Sequence, residues 1–140
     1  MKLWITVLAL AALAPFAIAQ QQFPTDAKTG RAIGAKEMTP EELRSQIDKH
    51  SKTLVVDVRD ADEFQKETIK GAVNIPLEQL SGKLKTIPKD TTLVFTCNTG
   101  RRSSQAAKLA EQAGFKTSMF CPLRDWKEKG NPTEAGKAKS

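Results

Sequence analysis

A cysteine followed by a glycine-bearing turn and two arginines is the part of this sequence equipped for chemistry. Residues 93–102 read Leu-Val-Phe-Thr-Cys-Asn-Thr-Gly-Arg-Arg, and Ser103 opens a helical pattern behind them. An apolar run that ends in Cys97 and turns through Asn98, Thr99 and Gly100 predicts a strand, a tight turn and a helix in that order. Such a turn gathers backbone N–H groups into a concave nest at a helix N-terminus. A thiolate at its mouth is stabilised by those donors, by the helix dipole and by neighbouring cations, for which Arg101 and Arg102 are placed. Cys97 is therefore predicted to be an activated sulfur nucleophile.

The elements that must hold this turn follow from the pattern around it. Residues 91–97 and 53–58 are short β-branched apolar runs without strict alternation, the pattern of strands buried on both faces in a parallel sheet. Residues 116–121 predict a further strand, Glu37 and Met38 a short one, and residues 71–76 an extended piece closed by Pro76. Thr39 with Pro40 and Glu42 is a helix start, cap and capping box together, with Leu43 and Ile47 as the buried stripe. Leu77, Leu80 and Leu84 have helical spacing. Behind the turn, residues 103–113 carry an alanine-rich face that can lie close to a sheet, and Gly114 is the expected stop. A short helix around Trp126 is closed by Gly130-Asn131-Pro132. Strands alternating with helices predict a three-layer α/β domain over residues 36–132 with a small, mainly parallel sheet. Ligands of such sheets bind beyond the carboxyl ends of the strands, where both Cys97 and Asp57 fall.

The flanks read differently. Residues 1–19 have the form of a signal peptide: Lys2, an apolar core too short to span a bilayer, Pro15, then Ala17-Ile18-Ala19 as a cleavage pattern. Cleavage after Ala19 predicts an exported, periplasmic protein with no stable membrane anchor. Residues 20–35 lack hydrophobic periodicity and read as a leader arm or linker, and residues 133–140 as a disordered basic tail.

Composition narrows the function classes. The 140 residues carry 22 basic and 16 acidic side chains, a net charge of +6, with the lysines scattered and no basic run interleaved with aromatics. Nucleic-acid binding is not expected; attraction of small anions is, given Arg101 and Arg102 beside Cys97. Two cysteines, Cys97 and Cys121, make no disulfide framework, and the single His50 has no partner at metal-ligand spacing, so no metal and no cofactor is expected.

Four stretches, in order, give the chain its resemblance to a known family. They are Asp57-Val58-Arg59 with Glu63-Phe64; Ile69-Lys70-Gly71-Ala72-Val73-Asn74-Ile75-Pro76; Cys97-Asn98-Thr99-Gly100-Arg101-Arg102 with Ser103; and Trp126 with Gly130-Asn131-Pro132. Together they resemble the single-domain rhodaneses, which are sulfurtransferases. Two departures stand out. Thr68 occupies a position where the family often has histidine, and Cys121-Pro122 stand where Gly-Gly is usual.

The resemblance implies a rhodanese-like fold and a two-step sulfur transfer. Cys97 would take the sulfane sulfur of an anionic donor such as thiosulfate, and a thiol or cyanide acceptor would remove it from the resulting persulfide. The loop amides from Asn98, Thr99 and Gly100 through Arg101 and Arg102 to Ser103 would cradle the transferred sulfur. Arg102, with Arg101, would bind the donor. Asp57 and Arg59 are expected to support the site as an ion pair, and Trp126 to belong to the core. The protein is expected to be a monomer. Two other readings remain open on the residues. A phosphatase of the same fold uses a longer loop than the Asn98-Thr99-Gly100-Arg101 segment between Cys97 and Arg102. A noncatalytic or redox-sensing module would use Cys97 with Cys121 as its resolving thiol, since the family's topology places their strands side by side.

Overall fold

The computed structural model describes residues 22–138; the signal peptide expected over residues 1–19 lies outside them. In chain order the elements are β1 (Lys36–Glu37), α1 (Pro40–Asp48), β2 (Thr53–Asp57), α2 (Ala61–Lys66), β3 (Thr68–Ile69), β4 (Val73–Asn74), a 3-10 turn (Leu77–Gln79), α3 (Leu80–Leu84), β5 (Thr92–Thr96), α4 (Arg101–Gln112), β6 (Ser118–Phe120), α5 (Leu123–Glu128) and β7 (Thr133–Glu134).

Five strands form one parallel sheet in the order β1-β6-β5-β2-β4. β2 and β5 are central and pair over their full length, Thr53 opposite Thr92 through Asp57 opposite Thr96. Because side chains alternate across a strand, consecutive apolar residues enter opposite layers. Val56, Leu93 and Phe95 pack with Leu80 and Leu84 of α3 and Ala106, Ala107 and Ala110 of α4. Val55 and Val94 pack instead with Leu43 of α1, Phe64 of α2 and Leu123 and Trp126 of α5. This is the expected three-layer α/β domain, with the parallel sheet buried on both faces. The alanine face of α4 lets that helix lie close over β5 and β6, which brings its N-terminus to the end of β5.

Local chemistry sets the helix boundaries. Thr39 caps α1 with the reciprocal Glu42 contact that its sequence calls for. Trp126 is 1% exposed, and its indole N–H donates to the Pro132 carbonyl at 2.9 Å. Helix α4 starts at Arg101 rather than Ser103, because Gly100 adopts a left-handed conformation (φ 95°) and turns the chain directly into the helix. Both arginines therefore sit in the first helical turn.

Two flanking expectations are corrected. Residues 133–136 are paired, not disordered: β7 runs antiparallel to β3, Glu134 accepts from the Gly71 N–H at 2.9 Å, and the Gly136 N–H donates to the Phe64 carbonyl at 3.0 Å. β3 leaves backbone groups open at the domain edge, and the tail satisfies them. Residues 22–35 are not a free linker either. Asp26 takes the Lys28 and Thr29 N–H groups in a tight turn, Thr25 bridges Ala32, and the resulting hairpin lies on α4. There the Gln105 side chain bonds both backbone groups of Phe23 (2.7 and 2.9 Å), and Ser104 Oγ accepts from the Ala32 N–H at 2.8 Å.

Candidate active site

Cys97 follows the last residue of β5 and is 2% exposed. The loop behind it closes around its sulfur. The Gly100 N–H donates to Cys97 Sγ at 3.2 Å and the Ser103 N–H at 3.3 Å, with Ser103 Oγ at 3.3 Å as a third neighbour. Two convergent amides at the start of α4 form the anion-accepting nest expected of this turn, while the Ser103 hydroxyl accepts from the thiol. Negative charge on this sulfur, or on a sulfur attached to it, faces donors already in place.

The base of the loop is braced by its neighbours in the sheet layer. The Leu123 N–H donates to the Cys97 carbonyl at 2.8 Å and the Arg124 N–H to the Asn98 carbonyl at 3.2 Å. Beneath lies the buried pair Asp57–Arg59, with Nη2 to Oδ2 at 2.7 Å and side-chain exposures of 0% and 5%. Thr68 Oγ1 donates to the same carboxylate at 2.8 Å, so the residue standing in for the family's histidine serves the Asp57 network. Arg59 Nη1 reaches Asn98 Oδ1 at 3.0 Å, and Asn98 Nδ2 reaches Glu63 Oε1 at 3.2 Å. Asp57 and Arg59 thus brace the loop through Asn98. Asn98 contributes its side chain to that framework.

The two arginines part company because successive helical residues point about 100° apart. Arg102 bonds Glu63 of α2, Nη1 to Oε2 at 2.9 Å. That hydrogen bond holds the Glu63 carboxyl below its usual range and the Arg102 guanidinium above its own. Arg102, expected to bind the donor, is paired with Glu63 in this structure, with both side chains about one-third exposed. Arg101 turns the other way, is exposed, and forms no salt bridge among the described residues.

Arg31 was not expected at the site. Its Nε and Nη2 both donate to the Thr99 carbonyl, at 3.1 and 3.0 Å, and its Nη1 bonds Glu37 at 3.0 Å. Its guanidinium also lies over the Phe120 ring, 5.4 Å from the centroid. Thr99 thus presents its carbonyl outward, while the Gly100 N–H of the same peptide points at the sulfur. The available signal was local: Asp26, Thr29 and Gly30 encode the turn that carries Arg31, but nothing in it reports its docking on α4.

Cys121 belongs to the opposite face of the sheet. It packs in the layer with Val94, Leu43 and Trp126, whereas Cys97 packs with Phe95 and Ala106, and both thiols are free. Adjacent strands that aim two side chains to opposite faces cannot join them without moving backbone. Burial pushes the Cys121 thiol up to about 12, with Asp125, Glu37 and Glu41 adding to it. This placement speaks against the alternative reading that pairs Cys121 with Cys97, and makes Cys121 a buried core thiol. Oxidation of the native protein with diamide should leave no Cys97–Cys121 link in a peptide map; a link formed without unfolding would refute this assignment. Pro122, at φ −64° and ψ 137°, starts α5 without an N–H to satisfy, so Cys121-Pro122 is accommodated where the family has glycines.

The chain matches the model of the rhodanese-like domain over residues 39–127. It is 32% identical over 112 residues to the human thiosulfate:glutathione sulfurtransferase, covering 69% of this chain and 96% of that protein. It is 30% identical over 97 residues to the putative sulfur carrier protein YrkF of Bacillus subtilis (strain 168), covering 68% of this chain but spanning only 52% of that protein. Among solved structures, a human single-domain sulfurtransferase aligns with a TM-score of 0.64 at 30% identity, covering 69% of this chain and 98% of that one. A parallel sheet flanked by helices, a cysteine nested at the N-terminus of α4 and this match over most of the domain lead to one assignment: the chain belongs to the rhodanese-like family.

Proposed function

We propose that the protein is a thiosulfate sulfurtransferase working through a persulfide on Cys97. The observation that carries this reading is the pair of amides, Gly100 and Ser103, aimed at Cys97 Sγ at 3.2 and 3.3 Å. In the first half-reaction the Cys97 thiolate attacks the outer sulfur of thiosulfate. The new bond joins Sγ to that sulfur, the sulfur–sulfur bond of the donor breaks, and its electron pair leaves with sulfite. The terminal sulfur then carries the negative charge and meets the loop donors. In the second half-reaction a thiol or cyanide attacks that outer sulfur and Cys97 departs as thiolate. The donor approaches past Arg101, the exposed cation of the loop. No separate base is required in either step.

Intact-mass spectrometry tests the cycle. Thiosulfate treatment of the reduced protein should add one sulfur atom at Cys97, and cyanide should remove it. No gain on a confirmed free thiol would rule out the thiosulfate mechanism. The same reading includes export to the periplasm through residues 1–19. Expression in a bacterial host should yield a periplasmic protein whose N-terminal sequence begins at Gln20; an uncleaved cytoplasmic product would contradict it.

A further inference from the structure

Beside the active loop lies a concavity of about 590 Å³ whose walls are basic. Lys28, Arg31, Arg101 and Arg124 line it, with Thr29 and Thr99 between them. Two of these cations are answered by carboxylates: Arg31 by Glu37 at 3.0 Å and Arg124 by Asp125 at 3.1 Å. Lys28 and Arg101 make no salt bridge among the described residues, and the Asp26 carboxylate is taken up by the N–H groups of Lys28 and Thr29 and by the Thr29 hydroxyl. The concavity therefore carries surplus positive charge from Lys28 and Arg101, with Arg124 beside them; cations of this kind bind carboxylates strongly.

Its position sets what it can bind. The Thr99–Gly100 peptide separates it from the nucleophile. In a trans peptide the N–H and C=O point opposite ways; this N–H meets Cys97 Sγ and this C=O meets Arg31. In thiosulfate the anionic end is only one sulfur–sulfur bond, ~2.0 Å, from the transferred atom. So small an anion, engaged at Cys97, stays on the inner side of the loop. A basic wall on the outer side suits a molecule whose anionic groups are several bonds from its reacting sulfur.

We propose that this concavity binds the carboxylates of an organic thiol acceptor, so that Lys28, Arg101 and Arg124 select a multiply anionic thiol over a neutral one. The acceptor role rests on the sulfurtransferase reading; the binding does not. The acceptor thiolate attacks the outer sulfur of the Cys97 persulfide. A bond forms between the two, the bond to Sγ breaks, and its electron pair returns to Sγ. The acceptor leaves as a persulfide, and neither an oxidant nor a reductant is consumed. Two of the four cations come from the arm at residues 22–35, outside the 39–127 stretch that matches the family, so the subsite belongs to this chain's own arm. The contacts of that arm with Gln105 and Ser104 of α4 hold it in place.

The test starts with the resting protein, titrated with mercaptosuccinate and, separately, with 2-mercaptoethanol while backbone amides are followed by NMR. Mercaptosuccinate should shift Lys28, Thr29, Thr99 and Arg101, and 2-mercaptoethanol should not. Affinity should fall about tenfold in Lys28→Ala/Arg124→Ala, as loss of charge-assisted contacts implies, and should fall with added salt. No shifts, equal shifts with both thiols, or affinity unchanged in the variant would overturn the proposal. The kinetic arm compares the two thiols as acceptors after thiosulfate loading. The ratio of kcat/KM for mercaptosuccinate to that for 2-mercaptoethanol should drop about tenfold in the variant; an unchanged ratio overturns the acceptor role. Selective binding in a protein that takes no sulfur from thiosulfate overturns the acceptor role together with the sulfurtransferase reading. Sulfur loading without selective binding overturns this inference alone.

Discussion

Gly100→Ala is expected to slow sulfur loading of Cys97 about 100-fold, the order seen when one preorganised donor to a developing charge is lost. Gly100 sits at φ 95°, and an added Cβ would fall 2.8 Å from Arg31 Nε and 3.0 Å from Phe120 Cε2. A side chain in the left-handed region costs about 1–2 kcal/mol by itself. The contacts add to it, because Arg31 can withdraw only by giving up its bonds to the Thr99 carbonyl and Glu37, and the Phe120 ring is buried. The peptide must rotate, and its N–H swings off the sulfur. A time course of persulfide formation by mass, run beside thermal unfolding, separates lost chemistry from lost fold. A loading rate near that of the parent protein in a folded variant would show that this amide does not serve the reaction.

Arg59→Met is expected to destabilise the domain by about 3–5 kcal/mol, the cost of leaving one member of a buried ion pair without its partner. Asp57 is fully buried, and Arg59 supplies it with Nε, Nη2 and its backbone N–H. Without the guanidinium, Thr68 Oγ1 and the backbone N–H are the donors left to that carboxylate. Asn98 and the Glu67 carbonyl lose contacts at the same time. Denaturant unfolding reads the loss directly. The double variant Asp57→Asn/Arg59→Met should recover a good part of it, because the stranded charge is gone. A loss under about 1 kcal/mol for Arg59→Met would place the pair among those that contribute little, as exposed ion pairs do.

Much of the domain is legible residue by residue, and for local reasons. Val55-Val56 and Val94-Phe95 are adjacent apolar pairs, and alternation in a strand sends the members of each pair to opposite layers. That alone calls for helices on both faces. Thr39-Pro40 and Glu42 encode the start of α1 within a single turn of chain. Ala106, Ala107 and Ala110 declare a helix that packs closely. Cys97, Gly100 and Ser103 are near neighbours in sequence, so their convergence on one sulfur follows from local turn geometry. Asp57 and Arg59 are two residues apart and pair within the same stretch.

The features that escape such a reading join distant segments. Arg31 and Thr99 are 68 residues apart, and Arg102 and Glu63 are 39. Composition makes the arm and tail look like linkers because they lack apolar periodicity. Their order comes instead from backbone and polar contacts to α4, β3 and Phe64. Cys121 shows the same limit from another side. Neighbouring strands brought two cysteines to one end of the sheet, but the pleat decides which face each sulfur takes, and the pairing register is a tertiary property.

The sequence by itself singled out the candidate nucleophile, the anion-accepting turn around it and the layered domain behind it, because each is written in spacing over a few residues. Only the tertiary structure decided that Arg102 is bound to Glu63, that Arg101 is left exposed, that Cys121 is turned away, and that an N-terminal arm walls the site with Lys28 and Arg31. Those outcomes depend on which side chains meet across separate elements, and packing geometry, not local propensity, selects them.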